Sequence, residues 1–216
     1  MSGCVNLMKK NFLIIRNYYT IVILSAFIIP FVVSKSASVY YGGILPLLMQ
    51  ATFTLYFAYN QLAFVESKYN SSTFLCITPY ARKAQVAAMY ITVLSIYCVI
   101  LLIYYMLSLL PMGNIPSFTF FRVVIVTCIL IVMYSIFIPA LYLLGYDKAK
   151  YAPAVTTFVI PYVAVLISKI TFPQIGIFLD LHWIKKYGIL IMCILVLVFL
   201  GVSIKMAEKW YDKKEL

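Results

Sequence analysis

Six long apolar stretches separated by short polar connections set the solvent in which this chain folds. With 65% hydrophobic and 11% charged residues, its 216 residues carry too few polar side chains to cover that much apolar surface in water. A bilayer interior about 30 Å thick, crossed by roughly 20 helical residues, fits the pattern. Peptide groups there must be satisfied within the protein, so the expected fold is all-α: one transmembrane domain over residues 1–216 with six spanning helices.

Before the first stretch, Val5, Met8, Phe12, Ile15 and Tyr19 recur at three and four residues, with Lys9, Lys10, Arg16 and Asn17 largely elsewhere on the wheel. That is the pattern of a basic amphipathic helix lying on the membrane surface. No small-residue cleavage site follows it, so it reads as part of the mature chain and not as a signal peptide. Spans are expected at residues 18–33, 42–64, 84–110, 120–144, 152–170 and 187–204. The first is short, with Pro30 near its far end; the fifth has Pro153 in its first turn and Pro161 at its centre. Lipid tolerates such prolines only where neighbours satisfy the freed carbonyl. Residues 65–83 (VESKYNSSTFLCITPYARK) are expected to form a short surface helix, turn at Pro79 and re-enter lipid. Pro111, Gly113 and Pro116 break the chain before the fourth span, and residues 145–150 read as a charged turn. Residues 171–186 read as interfacial or re-entrant.

Of the 17 Lys and Arg residues, 12 fall in the N-terminal segment, residues 65–83, residues 145–151 and the C-terminal tail. Positive residues mark the cytoplasmic side, so both termini are expected there, consistent with an even number of spans. The net charge of +11 then reflects topology and anionic lipid headgroups, not nucleic acid. Cys4, Cys76, Cys98, Cys128 and Cys193 form no CxxC pair, and neither a disulfide nor a metal site is expected.

The chemistry-bearing motifs are few. No Gly-rich stretch ends in Gly-Lys-Ser or Gly-Lys-Thr, so the chain is not expected to hydrolyse ATP by itself. His182, between Asp180 and Trp183, gives too few ligands for zinc and reads as an interfacial residue. No nucleophile elbow is present, so a Ser-His-Asp site is not expected. All six acidic residues, Glu66 among them, are read in loops or the tail, against an ion-coupled carrier. Within the second span stand Gln50, Thr52, Thr54, Tyr56, Tyr59, Asn60 and Gln61; Tyr90, Tyr97 and Tyr104 of the third lie on one stripe at a spacing of seven. Gln50, Tyr56, Asn60, Tyr90 and Tyr97 are the candidates for a substrate pathway. Interface anchoring by Tyr90 and Tyr104, with Tyr97 packed on a neighbour, is the other reading.

The segment LCITPYARK at 75–83, preceded by Glu66, resembles the Leu-x-x-x-Pro-x-x-Arg-Lys stretch of permeases of ATP-binding-cassette exporters of the second type. The similarity is closest to small bacterial permeases of peptide, lantibiotic-immunity and drug exporters. Gly145-Tyr146-Asp147-Lys148-Ala149 also resembles their Gly-aromatic-x-Lys turn between spans four and five. The resemblance implies a coupling helix between spans two and three that docks on a separate ATPase, which binds the ATP and Mg. Glu66, Ser67, Lys68, Tyr69, Pro79, Tyr80, Arg82 and Lys83 are the implied contacts, braced by the N-terminal helix. It further implies a pair of permeases, identical or homologous, in a bacterial plasma membrane, exporting an amphipathic peptide or lipophilic drug. A membrane scaffold or sensor that holds a signalling partner on the same loop is the alternative. From its loop position, Glu66→Arg is expected to uncouple ATP hydrolysis from transport without loss of folding.

Overall fold

The structure, a computed structural model, describes residues 2–16, 18–37, 44–69, 82–110, 115–169 and 182–212. Among these the chain is all-helical: α1 (Ser2–Arg16), α2 (Tyr19–Ala37), α3 (Ile44–Lys68), α4 (Arg82–Leu109), α5 (Phe120–Leu144), α6 (Tyr146–Ala149), α7 (Tyr151–Lys169) and α8 (His182–Asp212). α5 has the expected bounds of the fourth span. α4 and α5 are each long and apolar enough to cross a membrane alone. A third candidate is the pair formed by α1 and α2, which meet at 76°. The expected short helix after α3 lies outside the described residues.

α3 is the hub, packing against α1, α2, α4, α5 and α7. Leu47, Ala51, Leu55, Ala58 and Leu62 run down its length and are almost fully buried. A helix enclosed by protein need not be as lipophilic as one facing lipid, which is why α3 tolerates buried Gln50, Thr52 and Thr54. The outer helices instead expose Ile21, Leu24 and Ile28 on α2, Leu94, Leu102 and Met106 on α4, and Leu195 and Val198 on α8. Such continuous apolar faces require lipid or another membrane protein.

Two internal prolines explain where polar side chains go. Pro30 in α2 lacks the N–H that would bond to Ala26 O, and Gln50 Nε2 of α3 donates to that carbonyl at 2.8 Å. Pro139 in α5 likewise frees Ser135 O, and Ser203 Oγ of α8 donates to it at 2.6 Å. Tyr90 of α4 bonds to the same Ser203 Oγ at 2.6 Å, so three helices converge on one proline-freed carbonyl. Tyr59 adds a tie from α3 to α5, donating to Phe137 O at 3.0 Å.

The described helices correct one expectation, the loop placement of residues 65–68, and add detail to two others. Of the Val5, Met8, Phe12, Ile15, Tyr19 stripe on α1 and the start of α2, Ile15 is buried, Met8 and Phe12 are half-buried with Phe12 packed against the core, and Val5 is 51% exposed, while Leu7 and Asn11 beside the stripe are buried. Asn11 Nδ2 donates to Thr92 Oγ1 at 3.1 Å, which seats α1 against α4. Residues 65–68 are not loop but the last turn of α3. The C-terminal tail is helical to Asp212, and Ala207 and Tyr211 bury one side of it. Glu66, Asp147 and Glu208 therefore stand on helices.

Candidate functional site

The basic ends of the helices gather in one place. The start of α4, the ends of α3, α5 and α8, and α6 enclose a cleft of about 350 Å³. Glu66 and Ser67 line it from α3, Gln85 from α4, Tyr142 from α5, Tyr146, Asp147 and Lys148 from α6, and Tyr211 from α8. Glu66 and the Gly-Tyr-Asp-Lys turn, some 80 residues apart in sequence, thus share one wall.

Each side chain is held for a local reason. Glu66 Oε1 meets Lys10 Nζ at 3.1 Å, which ties α1 to the end of α3. The side chains are 15% and 29% exposed, so water screens the pair only partly. Lys68 and Tyr69 project outward, the Lys68 ammonium 5.6 Å from the Tyr69 ring centroid. Gly145 turns the chain from α5 into α6 at φ 74 and ψ 167, a conformation open essentially to glycine. Its N–H donates to Leu141 O and its carbonyl accepts from Ala149 N, both at 3.0 Å. Tyr146 then donates to Asn60 Oδ1 at 3.2 Å. Burial raises the Tyr146 phenol above its ordinary range, against the pull of Lys150, so it stays a neutral donor. Tyr211 Oη donates to Gln85 Oε1 at 2.5 Å, and its ring lies 4.9 Å from that of Tyr142. The Tyr142 hydroxyl, buried in the same wall, has no partner among the described residues.

The docking candidates divide accordingly. Glu66 and Ser67 line the cleft, Lys68 and Tyr69 flank it, Arg82 begins α4 and Lys83 is exposed on its first turn. Pro79 and Tyr80 lie outside the described residues. Lys10, Gln85, Tyr142 and Tyr211 belong to the region without any motif that marks them. The spacing of Ala207 and Tyr211 by four in a charged tail is the one sequence signal for the last.

The pathway candidates do not form one surface. Gln50 is sealed in the α2–α3 seam, Tyr56 is half-buried with its ring 5.7 Å from that of Phe57, and Asn60 serves Tyr146. Tyr90 and Tyr97 do come together, in a second, apolar cleft of about 210 Å³ between α4, α5 and α8 with Leu55 of α3 at its edge. Tyr104 is buried and donates to Pro116 O at 3.1 Å.

These features define a helical membrane protein with a polar cleft at its basic end and no cluster of metal ligands among the described residues. Residues 6–212 match the family model described as ABC-2 family transporter protein, and the chain belongs to that family. It is a permease of the ABC-2 type, the transport subunit of an ABC transporter, a family that implies an ATP-binding partner. No curated protein and no solved structure matches it.

Proposed function

We propose that this permease exports an amphipathic substrate, a peptide or a lipophilic drug, across a bacterial plasma membrane, driven by ATP and Mg bound in a separate ATPase subunit. Six spans, cytoplasmic termini and a second permease, identical or homologous, belong to this reading. The observation that carries it is the convergence of Glu66, residues 145–148 and Tyr211 on one cleft at the basic end. A partner that moves this region pulls on α1 through Lys10, on α3 through Glu66, on α4 through Gln85 and on α8 through Tyr211. Such a tied set of helix ends transmits motion because packed elements shift as units. In this reading Glu66 and Ser67 of the cleft, with Lys68, Tyr69 and Lys83 beside it, are the docking surface, and Pro79, Tyr80 and Arg82 are assigned to it from the sequence alone.

The test is mass spectrometry of what co-purifies, at near-equal stoichiometry, with the tagged chain in mild detergent. A nucleotide-binding subunit, released by Tyr69→Glu combined with Lys83→Glu, is the expected result. A chain that purifies alone, or with a signalling protein, overturns the proposal in favour of a scaffold.

A further inference from the structure

ATPase docking leaves the apolar cleft between α4, α5 and α8 without a task. Leu55, 1% exposed, marks how deeply it reaches toward α3, while Ile91 and Leu94 on its rim are 39% and 52% exposed. Tyr90 and Tyr97 stand 8 and 15 residues beyond Arg82, roughly 12 and 22 Å along α4, a depth within the hydrocarbon. The cleft therefore opens sideways to lipid.

Its polar groups are few and their protons are assignable. Ser203 Oγ donates to Ser135 O, so the proton between Tyr90 and Ser203 comes from Tyr90. Thr127 Oγ1 donates to Val123 O, so Tyr97 in turn donates to Thr127 at 2.8 Å. A phenol oxygen whose proton is donated can still accept a hydrogen bond. Ser135, only 5% exposed, lines the same cleft, and its Oγ has no partner among the described residues. An unpaired hydroxyl enclosed in apolar walls is costly unless a ligand completes it.

Size narrows the ligand further. An apolar cavity of about 150 Å³ takes benzene, and drug-sized sites run to about 300–1,000 Å³. At about 210 Å³ the cleft admits one ring with a short substituent, not a peptide. We infer that the cleft binds a small lipophilic alcohol or phenol entering from the bilayer, its hydroxyl accepting from Ser135 and donating to the Tyr90 oxygen. Calling that ligand a transport substrate rests on the exporter reading; its binding does not.

The experiment uses the full-length chain, with any co-purifying subunits, in lipid nanodiscs. Two photoreactive probes are compared: a trifluoromethyl-diazirinyl benzyl alcohol and the matching toluene lacking the hydroxyl. The alcohol is expected to label α4 and α5 residues of the cleft about 25-fold more than the toluene, about fivefold for each of its two hydrogen bonds. Ser135→Ala should lower that preference about fivefold, and Ser135→Leu should abolish cleft labelling by both probes. Val132→Phe, on the exposed face of α5, should change neither. Equal labelling by the two probes, or a preference left unchanged by Ser135→Ala, overturns the inference. Because no ATPase activity is read, that failure leaves the permease reading intact, and loss of the ATPase partner would leave this site intact.

Discussion

Gln50→Met tests whether a side chain replaces the helical donor that Pro30 removes. Gln50 is fully buried, and its Nε2 reaches Ala26 O at 2.8 Å. Methionine keeps the length and nearly the volume of glutamine, so packing changes little. What is lost is a hydrogen bond worth about 0.6 kcal/mol on average inside membranes and up to about 1.7. The orphaned carbonyl, sealed between α2 and α3, pushes the cost toward the about 1–3 kcal/mol of an unsatisfied buried group. In the opposite direction, Gln50 Oε1 is itself buried with no partner among the described residues, and removing it returns part of that. The expected net destabilisation is about 1–2 kcal/mol. Pro30→Ala restores an N–H that bonds Ala26 O within α2, and in that background Gln50→Met should cost nothing. Reversible unfolding in mixed micelles, run as a double-mutant cycle, reads the coupling directly. Single costs that add to within about 0.5 kcal/mol would mean that proline and glutamine do not share the carbonyl.

Glu66→Arg should destabilise the fold by about 1–3 kcal/mol, because it sets two cations against each other across the α1–α3 contact. Adding Lys10→Glu should restore thermal stability in detergent; an unchanged melting temperature in the single variant would mean that the Lys10–Glu66 pair adds nothing to the fold. Gly145→Ala meets no atom within 4 Å, so its cost is backbone strain alone, about 1–3 kcal/mol. Chemical denaturation of that variant should show the loss, and wild-type stability would mean that the turn relaxes without glycine.

Chain punctuation is legible in the sequence and tertiary partnership is not. The bounds of α5 follow from breakers on one side and Gly145 on the other, both local signals. The buried face of α1 is legible only in part, because apolar periodicity gives no reason to bury Asn11, while Thr92, 81 residues away, makes it an inward residue. Glu66 escapes it for the same reason: nothing near it in sequence announces Lys10. Its segment also continues the α3 helix, since Val65, Glu66, Ser67 and Lys68 contain no breaker and the first turn-forming asparagine comes only at position 70.

The pathway candidates show how far a polar residue in a span can be read. Proline positions alone name the carbonyls that need a donor, Ala26 for Pro30 and Ser135 for Pro139, because each lies four residues earlier on its helix. They do not name the donor, which lies on whichever helix packs there: α3 for one and α8 for the other. A buried Gln50 or Ser203 is therefore explained by its carbonyl and needs no substrate. Ser135 is the residue left over from that logic. Its backbone carbonyl is satisfied by Ser203, while its own hydroxyl has no partner among the described residues. The proline rule thus removes Gln50 as a pathway candidate and, by the same accounting, singles out Ser135, which carries no sequence signal of its own.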